Sequence, residues 1–152
     1  MKKLVFGLVI LTFLCGAAMV QAGDRATKDQ AVAMVQKAIA YIKANGNDKA
    51  FAEIDNPKGQ FVDRDLYVMV YDMNGKCLAH GQKMSMVGKS MVDFKDVDGK
   101  PFIQERLALM KKQNSAWQSY KFMDPLTKKI EPKEAYMERC GDLIVCAGVY
   151  TK

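Results

Sequence analysis

The stretch LYVMVYDMNGKCLAHG, residues 66–81, predicts a β-hairpin near the middle of the chain. Leu66 to Asp72 is rich in the β-branched and aromatic residues that strands favour. Asn74-Gly75 lies between two apolar runs, and this dipeptide is the strongest short signal for a hairpin turn. If these two residues form the turn, the return strand runs from Cys77 to His80.

Alternation along the two strands predicts a sheet with two apolar faces. The two-residue turn would pair Met69 with His80 and Tyr71 with Leu78. One face then carries the tyrosine, methionine and histidine side chains, together with Leu78. The other face carries the aliphatic residues and Cys77. Because both faces are apolar, each needs a covering layer. We expect a helix on the aliphatic face and a mixed core or pocket wall on the other.

The segments on either side of the hairpin complete an α+β pattern. Thr27 and Gln30 form a capping box at the start of a long helix, in which apolar residues recur at helical spacing. The predicted helices are 27–44, 48–54 and 100–112, and the further predicted strands are 117–123, 130–140 and 143–150. The predicted fold class is therefore α+β, with a long N-terminal helix packed on an antiparallel sheet of about five strands.

Residues 1–22 predict a secretory signal peptide. Lys2 and Lys3 precede an uncharged apolar run, and small residues lead to a cleavage site after Ala22. The alternatives are an uncleaved membrane anchor, for which the run is slightly short, and a lipoprotein at Cys15, which Leu14 disfavours. Cleavage leaves a single domain of 130 residues (152 − 22), residues 23–152, and predicts a periplasmic location.

Charge and hydropathy disfavour two classes of partner. The net charge of +6 falls to +4 once Lys2 and Lys3 are removed, and the remaining charges are scattered. Nucleic-acid binding proteins usually carry a dense basic patch, so this class has little support. No later segment is apolar enough to span a bilayer, so we expect no stable membrane insertion after cleavage.

The cysteines do not predict a metal site or a catalytic site. The hairpin alternation sends Cys77 and His80 to opposite faces, so they cannot share a zinc ion or form a nucleophile–base pair. A turn at Gly141-Asp142 would also put Cys140 and Cys146 on opposite faces, where a disulfide would break the strand geometry. We therefore expect three free thiols, no catalytic residue, no metal and no cofactor.

Ligand binding is the remaining class of function. Lys133 lies just inside a predicted strand, directly after Pro132. A cation on a sheet beside tyrosine hydroxyls and a histidine would make a good carboxylate site.

Several motifs in order resemble the single Cache domain, type 2. They are DMNGKCLAHG, MVGKS, FKDVDGKPFIQE, the Trp117 and Tyr120 pair, EPKEAYM and the closing CAGVY. The resemblance runs from about Thr27 to the C-terminus. It implies an extracytoplasmic sensing fold, in which a long N-terminal helix packs on a PAS-like sheet and a ligand pocket lies on the other face.

The resemblance also implies a function and a set of site residues. Members of the family usually form the periplasmic sensors of chemoreceptors or histidine kinases and bind short carboxylates such as pyruvate, lactate or acetate. The residues that match the family's ligand positions are His80, Tyr120, Lys133 and Tyr136, with Tyr71 and Trp117 as further candidates. In a regular strand Lys133 and Tyr136 point to opposite faces. Either the strand is irregular near Pro132, or only one of the two lines the pocket.

The leading hypothesis is a periplasmic protein that binds a small organic acid and passes its occupancy to a separate membrane receptor or kinase. Lys133 would neutralise the carboxylate, His80 and the tyrosines would donate hydrogen bonds, and Met69 with Trp117 would shape an apolar wall. One alternative is a structural or interaction subunit without a ligand. Another is a thiol enzyme or redox sensor, which requires an exposed cysteine of lowered pKa.

Overall fold

The computed structural model describes residues 25–151, which form three helices and six strands. The helices are α1 (Lys28–Asn45), α2 (Asn47–Ile54) and α3 (Phe102–Lys112). The strands are β1 (Val62–Asp63), β2 (Leu66–Asp72), β3 (Cys77–His80), β4 (Ser115–Met123), β5 (Ile130–Cys140) and β6 (Leu143–Tyr150). The predicted α+β class is confirmed, and β1 is an additional short strand. The predicted signal peptide and its cleavage site lie outside the described residues.

The sheet is antiparallel, and β2 and β6 lie at its centre. Its order is β1-β2-β6-β5-β4, and β3 also pairs with β2. In the last hairpin, Cys140 faces Leu143 and Met137 faces Cys146. This register is the predicted one, so the two cysteines lie on opposite faces of the sheet.

Helix α1 begins at the predicted capping box. The Thr27 hydroxyl accepts a hydrogen bond from the Gln30 backbone N–H, and the Gln30 side chain accepts one from the Thr27 backbone N–H. These bonds satisfy two of the backbone donors that a helix start leaves free. One stripe of α1 is buried against β5 and β6, formed by Ala31, Val35, Ala38, Ile39 and Ile42.

Each face of the sheet has its own apolar core. The first core lies between the sheet and helices α1 and α2, and we call this side the α1 face. The second lies between the sheet and α3 with the segment 82–101, and we call this side the α3 face. The prediction that both sheet faces are covered is confirmed. Tyr67, Met69 and Tyr71 lie on the α3 face, whereas Val68 and Val70 lie on the α1 face.

The central hairpin turn differs from the predicted one. The Asp72 N–H donates to the Lys76 carbonyl at 3.0 Å, so three residues rather than two form the loop. Gly75 has a φ of +83°, which a three-residue loop of this type requires at its last position. The prediction of a two-residue Asn74-Gly75 turn is therefore wrong.

A bulge in β3 compensates for the longer loop. Met69 faces His80 as predicted, but Tyr71 faces Cys77 instead of Leu78, because Leu78 is the extra residue of the bulge. Cys77 consequently lies on the α3 face, the same face as Tyr71. The prediction that Cys77 and His80 point to opposite faces is wrong, and so is the placement of Leu78 on the tyrosine face.

The chain uses the same loop twice. In DMNGK (72–76) and DVDGK (96–100), the aspartate carboxylate accepts two backbone N–H bonds, and the closing lysine carbonyl accepts one from the aspartate N–H. The glycines Gly75 and Gly99 have φ values of +83° and +81°. They differ in their surroundings. A Cβ on Gly75 would lie 3.1 Å from Val92 and 3.2 Å from Ile103, whereas one on Gly99 would meet nothing within 4 Å.

Substitutions at these two glycines separate the cost of backbone strain from the cost of overpacking the core. We expect Gly99→Ala to cost about 1–2 kcal/mol, because alanine is strained at positive φ. Gly75→Ala should cost about 1–3 kcal/mol more, since the new methyl group also overpacks the core of the α3 face. Urea unfolding of the two variants and the unaltered protein measures both values. Equal losses would contradict the packing contribution at Gly75.

Candidate functional site

Three basic side chains are buried on the α3 face. Their exposed fractions are 0% for His80, 0% for Arg106 and 1% for Lys133, and they come from β3, α3 and β5 respectively. A buried cation is costly unless it is paired with an anion. Among the ion pairs of residues 25–151, none includes Arg106 or Lys133.

Arg106 presents its two terminal nitrogens without partners. Its Nε donates to Gln118 Oε1 at 3.3 Å, and Gln118 in turn donates to the Phe102 carbonyl at 2.7 Å. Within the described residues, Nη1 and Nη2 are buried and have no hydrogen-bond partner of good geometry, although the Tyr120 hydroxyl lies close enough to interact with the guanidinium. The guanidinium lies 4.9 Å from the Tyr71 ring centroid and 5.5 Å from that of Tyr120. Arginine stays protonated in proteins, so this group is a fixed buried charge.

Lys133 is held among aromatic rings. Its Nζ lies 3.8 Å from the Tyr67 ring centroid and 4.7 Å from that of Tyr150, and 3.4 Å from the Tyr150 hydroxyl. The Tyr150 hydroxyl donates to the Met123 carbonyl at 2.6 Å, which fixes its direction. Burial lowers the pKa of Lys133 well below its usual value, and the nearby Arg106 charge lowers it further. A bound anion would oppose both effects.

Gly148 on β6 makes room for Lys133. A Cβ at this position would lie 2.8 Å from Lys133 Cε and 2.9 Å from both the Ala135 Cα and the Glu134 carbonyl. Real Cβ atoms are not found this close to other atoms, so any side chain at position 148 would displace the lysine stem. A glycine on the neighbouring strand is therefore a condition for the position of the Lys133 ammonium.

His80 is held as a neutral hydrogen-bond donor. Its Nδ1 accepts hydrogen bonds from the backbone N–H groups of Gln82 at 3.2 Å and Lys83 at 3.0 Å, which leaves the proton on Nε2. Nε2 is buried, and no described residue accepts its hydrogen bond. The ring stacks on Tyr67 at 5.2 Å. Burial, then the charges of Lys133 and Lys83, lower the pKa of His80 to about 3.

Aromatic rings connect these three groups into one site. The Phe122 ring centroid lies 5.8 Å from Lys133 Nζ, 6.4 Å from the His80 ring and 6.1 Å from the Tyr120 ring, against which Arg106 packs. The nitrogens without partners offer N–H groups only. Such a donor set suits an anion, and the guanidinium fork matches the planar shape of a carboxylate.

The structure brings together four of the six residues predicted for the site. His80, Lys133, Tyr120 and Tyr71 all lie on the α3 face, and the predicted wall residue Met69 lies there too. The side chains of β5 alternate regularly from Lys133 to Met137. Lys133 is therefore the inward residue, and no irregularity near Pro132 is needed.

Tyr136 and Trp117 lie away from the site, on the α1 face. They face each other across β4 and β5 with ring centroids 5.4 Å apart. The Tyr136 hydroxyl donates to Glu138 at 3.1 Å, and Lys28 of α1 lies 5.2 Å from the Trp117 ring. The expectation that these two residues line the pocket is not met, because strict alternation turns them outward when Lys133 and Tyr120 turn inward.

Sequence reasoning missed Arg106. Phe102, Ile103, Leu107 and Met110 form the buried stripe of α3, as predicted, and Arg106 falls on the same stripe, three residues after Ile103. A charged residue at a core-facing position of a helix is a usable signal, because such a group needs a compensating partner. Tyr67 and Tyr150 were also not selected as candidates.

The thiols do not resemble reactive cysteines. Cys77 and Cys146 are buried, and burial raises the pKa of both, that of Cys77 to about 12. Cys140 is half-buried on the α1 face. Reactive thiols need a lowered pKa and access to solvent, so neither Cys77 nor Cys146 fits a thiol enzyme or a redox sensor.

Residues 17–152 match the family model of the single Cache domain 2. The chain belongs to this family. The resemblance predicted from the motifs is thereby confirmed. No curated protein matches the chain. In residues 25–151 no helix has the length and hydropathy needed to cross a membrane.

Solved structures share the fold of this Cache domain. A Cache chemosensory domain described for its recognition of carboxylic acids aligns with a TM-score of 0.69 and 21% identity, over 82% of this chain and 92% of its own. A methyl-accepting chemotaxis protein from Vibrio parahaemolyticus RIMD 2210633 aligns with a TM-score of 0.70 and 23% identity, over 81% and 87%. A periplasmic sensor domain of a chemotaxis protein aligns with a TM-score of 0.64 and 18% identity, over 82% and 90%.

His80 gives the protein a measurable dependence on pH. A pKa of about 3 in the folded state means that the unfolded chain binds a proton near pH 6.5 while the folded protein does not. Stability should therefore fall as pH decreases, and between pH 6.5 and 5 the loss through His80 should be about 2 kcal/mol. Chemical unfolding of the unaltered protein and of His80→Gln at several pH values measures this loss. It is the difference between the two proteins in the slope of unfolding free energy against pH.

The state of His80 can also be observed directly, because it is the only histidine in the chain. Imidazole ¹⁵N chemical shifts should report the neutral Nε2–H form from pH 8 to pH 5. A titration midpoint near 6.5 in the folded protein would contradict the buried, neutral state.

Proposed function

We propose that this Cache domain is a periplasmic sensor that binds a small carboxylate on the α3 face through Arg106, Lys133 and His80. One observation carries the proposal. In the described residues, the buried nitrogens Nη1 and Nη2 of Arg106 and Nε2 of His80 have no hydrogen-bond partner. Buried polar groups are almost always paired, so an unpaired set of this kind needs an explanation. A bound carboxylate supplies one.

Each group has a distinct role in this proposal. Arg106 binds the carboxylate with its two terminal nitrogens, in the geometry that gives guanidinium–carboxylate pairs their strength. His80 donates from Nε2 as a neutral group. Lys133 adds positive charge, and its pKa rises when the anion arrives. Tyr71 and Tyr120 flank the guanidinium, and Met69 contributes apolar surface.

Occupancy would be passed to a separate membrane receptor or kinase. The sensor domains of chemotaxis proteins that share this fold support such a partner. One contact and one electrostatic interaction link the site to the two ends of the domain. Tyr150, which touches Lys133, is the last residue of β6. Arg25, just before α1, forms ion pairs with Asp65 and Asp124, at 3.4 Å and 2.6 Å, and both carboxylates oppose the lowering of the Lys133 pKa.

A structural subunit without a ligand explains the site less well. Burying a cation without a carboxylate partner costs free energy, and an apolar residue of similar size would avoid that cost. A protein that needed only the fold would therefore gain stability from losing Arg106 or Lys133. Retaining both cations makes sense when binding is the function, because binding sites commonly trade stability for activity.

This contrast gives a sharp test with Arg106→Met and Lys133→Met. We expect both variants to be as stable as the unaltered protein or more stable, because each removes a buried basic group that has no carboxylate partner among residues 25–151. Both should bind carboxylates at least about 30-fold more weakly, since losing one partner of a buried charge pair costs about 2–5 kcal/mol. Thermal unfolding and calorimetric titration with acetate, pyruvate and lactate measure the two effects on protein freed of ligand by refolding.

Tyr136→Phe on the α1 face is the matched control and should bind as the unaltered protein does. The proposal is wrong if none of the three acids binds the refolded protein. It is equally wrong if binding survives unchanged in both Met variants.

A further inference from the structure

A cleft opens to solvent next to the three donor groups. Its volume is about 240 Å³, and its walls include Tyr67, Phe122, Met123 and Pro125. Gln82, Lys83 and Lys128 also line it. The walls are therefore mainly apolar, and the charges among the lining residues are positive.

The cleft and the donor site share two rings. Tyr67 lines the cleft, and its ring also carries Lys133 Nζ at 3.8 Å and stacks on His80. Phe122 lines the cleft, and its ring lies 5.8 Å from the same Nζ. Both rings therefore line the cleft and lie close to the buried donors. Phe122 is half-buried and lies one residue before the end of β4, whereas Tyr67 is buried.

The apolar surface continues beyond this cleft. A second cleft of about 220 Å³ shares Lys83, Phe122 and Met123 with the first. It adds Phe94, Val97 and Ile130, whose exposed fractions are 46%, 63% and 43%, together with Phe102 and the charged residues Lys95, Asp96 and Lys121. Large apolar side chains this exposed are informative when they cluster around one groove. The path from Phe122 outward is therefore suited to an apolar group.

We propose that the ligand is a carboxylic acid with an unbranched apolar tail of several carbons. The carboxylate binds Arg106, Lys133 and His80, and the tail passes Phe122 into the cleft. The inference rests on the proposed function, because it needs the carboxylate at the donor site. It goes further in naming the class of acid and in assigning Phe122 and Met123 to chain-length selection.

The chemistry of the walls selects against a second charge at the far end of the ligand. Phenyl, thioether and pyrrolidine groups offer no hydrogen bonds to a buried carboxylate, whose desolvation would be costly. A methylene that leaves water there raises the affinity about fourfold. Lys83 and Lys128 are exposed lysines at the mouth of the cleft, where they attract the anion as it approaches. A solvated lysine gains little from pairing with a second carboxylate, so these two side chains do not offset the desolvation cost.

Calorimetric titration of the refolded, ligand-free protein with acetate, butanoate, hexanoate and adipate tests the proposal. We expect the affinity to rise about fourfold per methylene from acetate to hexanoate, and hexanoate to bind at least tenfold more tightly than adipate. A flat or falling series overturns the proposal. Adipate binding as tightly as hexanoate also overturns it, because the cleft would then accept charge.

Two variants test whether the apolar tail of the acid lies in the cleft. Met123→Trp fills the cleft and should lower the ratio of hexanoate to acetate affinity at least tenfold, whereas Phe122→Ala should raise that ratio. Trp117→Ala on the α1 face is the control and should leave the ratio unchanged. Unchanged ratios in both cleft variants overturn the proposal. Acetate binding without any gain for hexanoate overturns this inference alone, whereas no binding by any acid overturns the proposed function with it.

Discussion

Among residues 25–151, Arg106 and Lys133 are buried without a carboxylate partner, and the site depends on this constraint. Moving a charge out of water is expensive, and an apolar core offers nothing in return. Here the cost is partly offset by aromatic faces, since Arg106 packs against Tyr71 and Tyr120 and Lys133 against Tyr67 and Tyr150. The tyrosines of the α3 face therefore hold the cations in place and also line the site.

The sheet and the helices could be predicted from the sequence because local signals and burial agree. The capping box of Thr27 and Gln30, the strand composition of 66–72 and the turn at Gly141-Asp142 all lead to the observed elements. The register of the central hairpin was predicted less accurately than these elements. It depends on how the Asp72 carboxylate organises the loop, and a carboxylate that accepts two backbone N–H bonds favours a longer loop than Asn-Gly alone suggests.

Residues of the candidate site could be predicted only where a strand fixes the direction of their side chains. Alternation distinguishes Lys133 from Tyr136 once one of them is known to be buried, but it does not say which. Arg106 lies on a helix, and its direction depends on how α3 is rotated against the sheet, which is a tertiary property. The residues that the resemblance implied and the structure removed, Tyr136 and Trp117, are aromatic residues that suit either face of a sheet equally well.

The position of Lys133 depends on Gly148 through space, although the two residues lie on different strands. The lysine stem occupies part of the volume that a side chain at position 148 would need. Losing the lysine would not release the glycine, because a Cβ there would still lie 2.9 Å from the Ala135 Cα and the Glu134 carbonyl. The dependence therefore runs one way: a chain that keeps the lysine must keep the glycine, whereas a glycine at this position does not by itself indicate a lysine on the neighbouring strand.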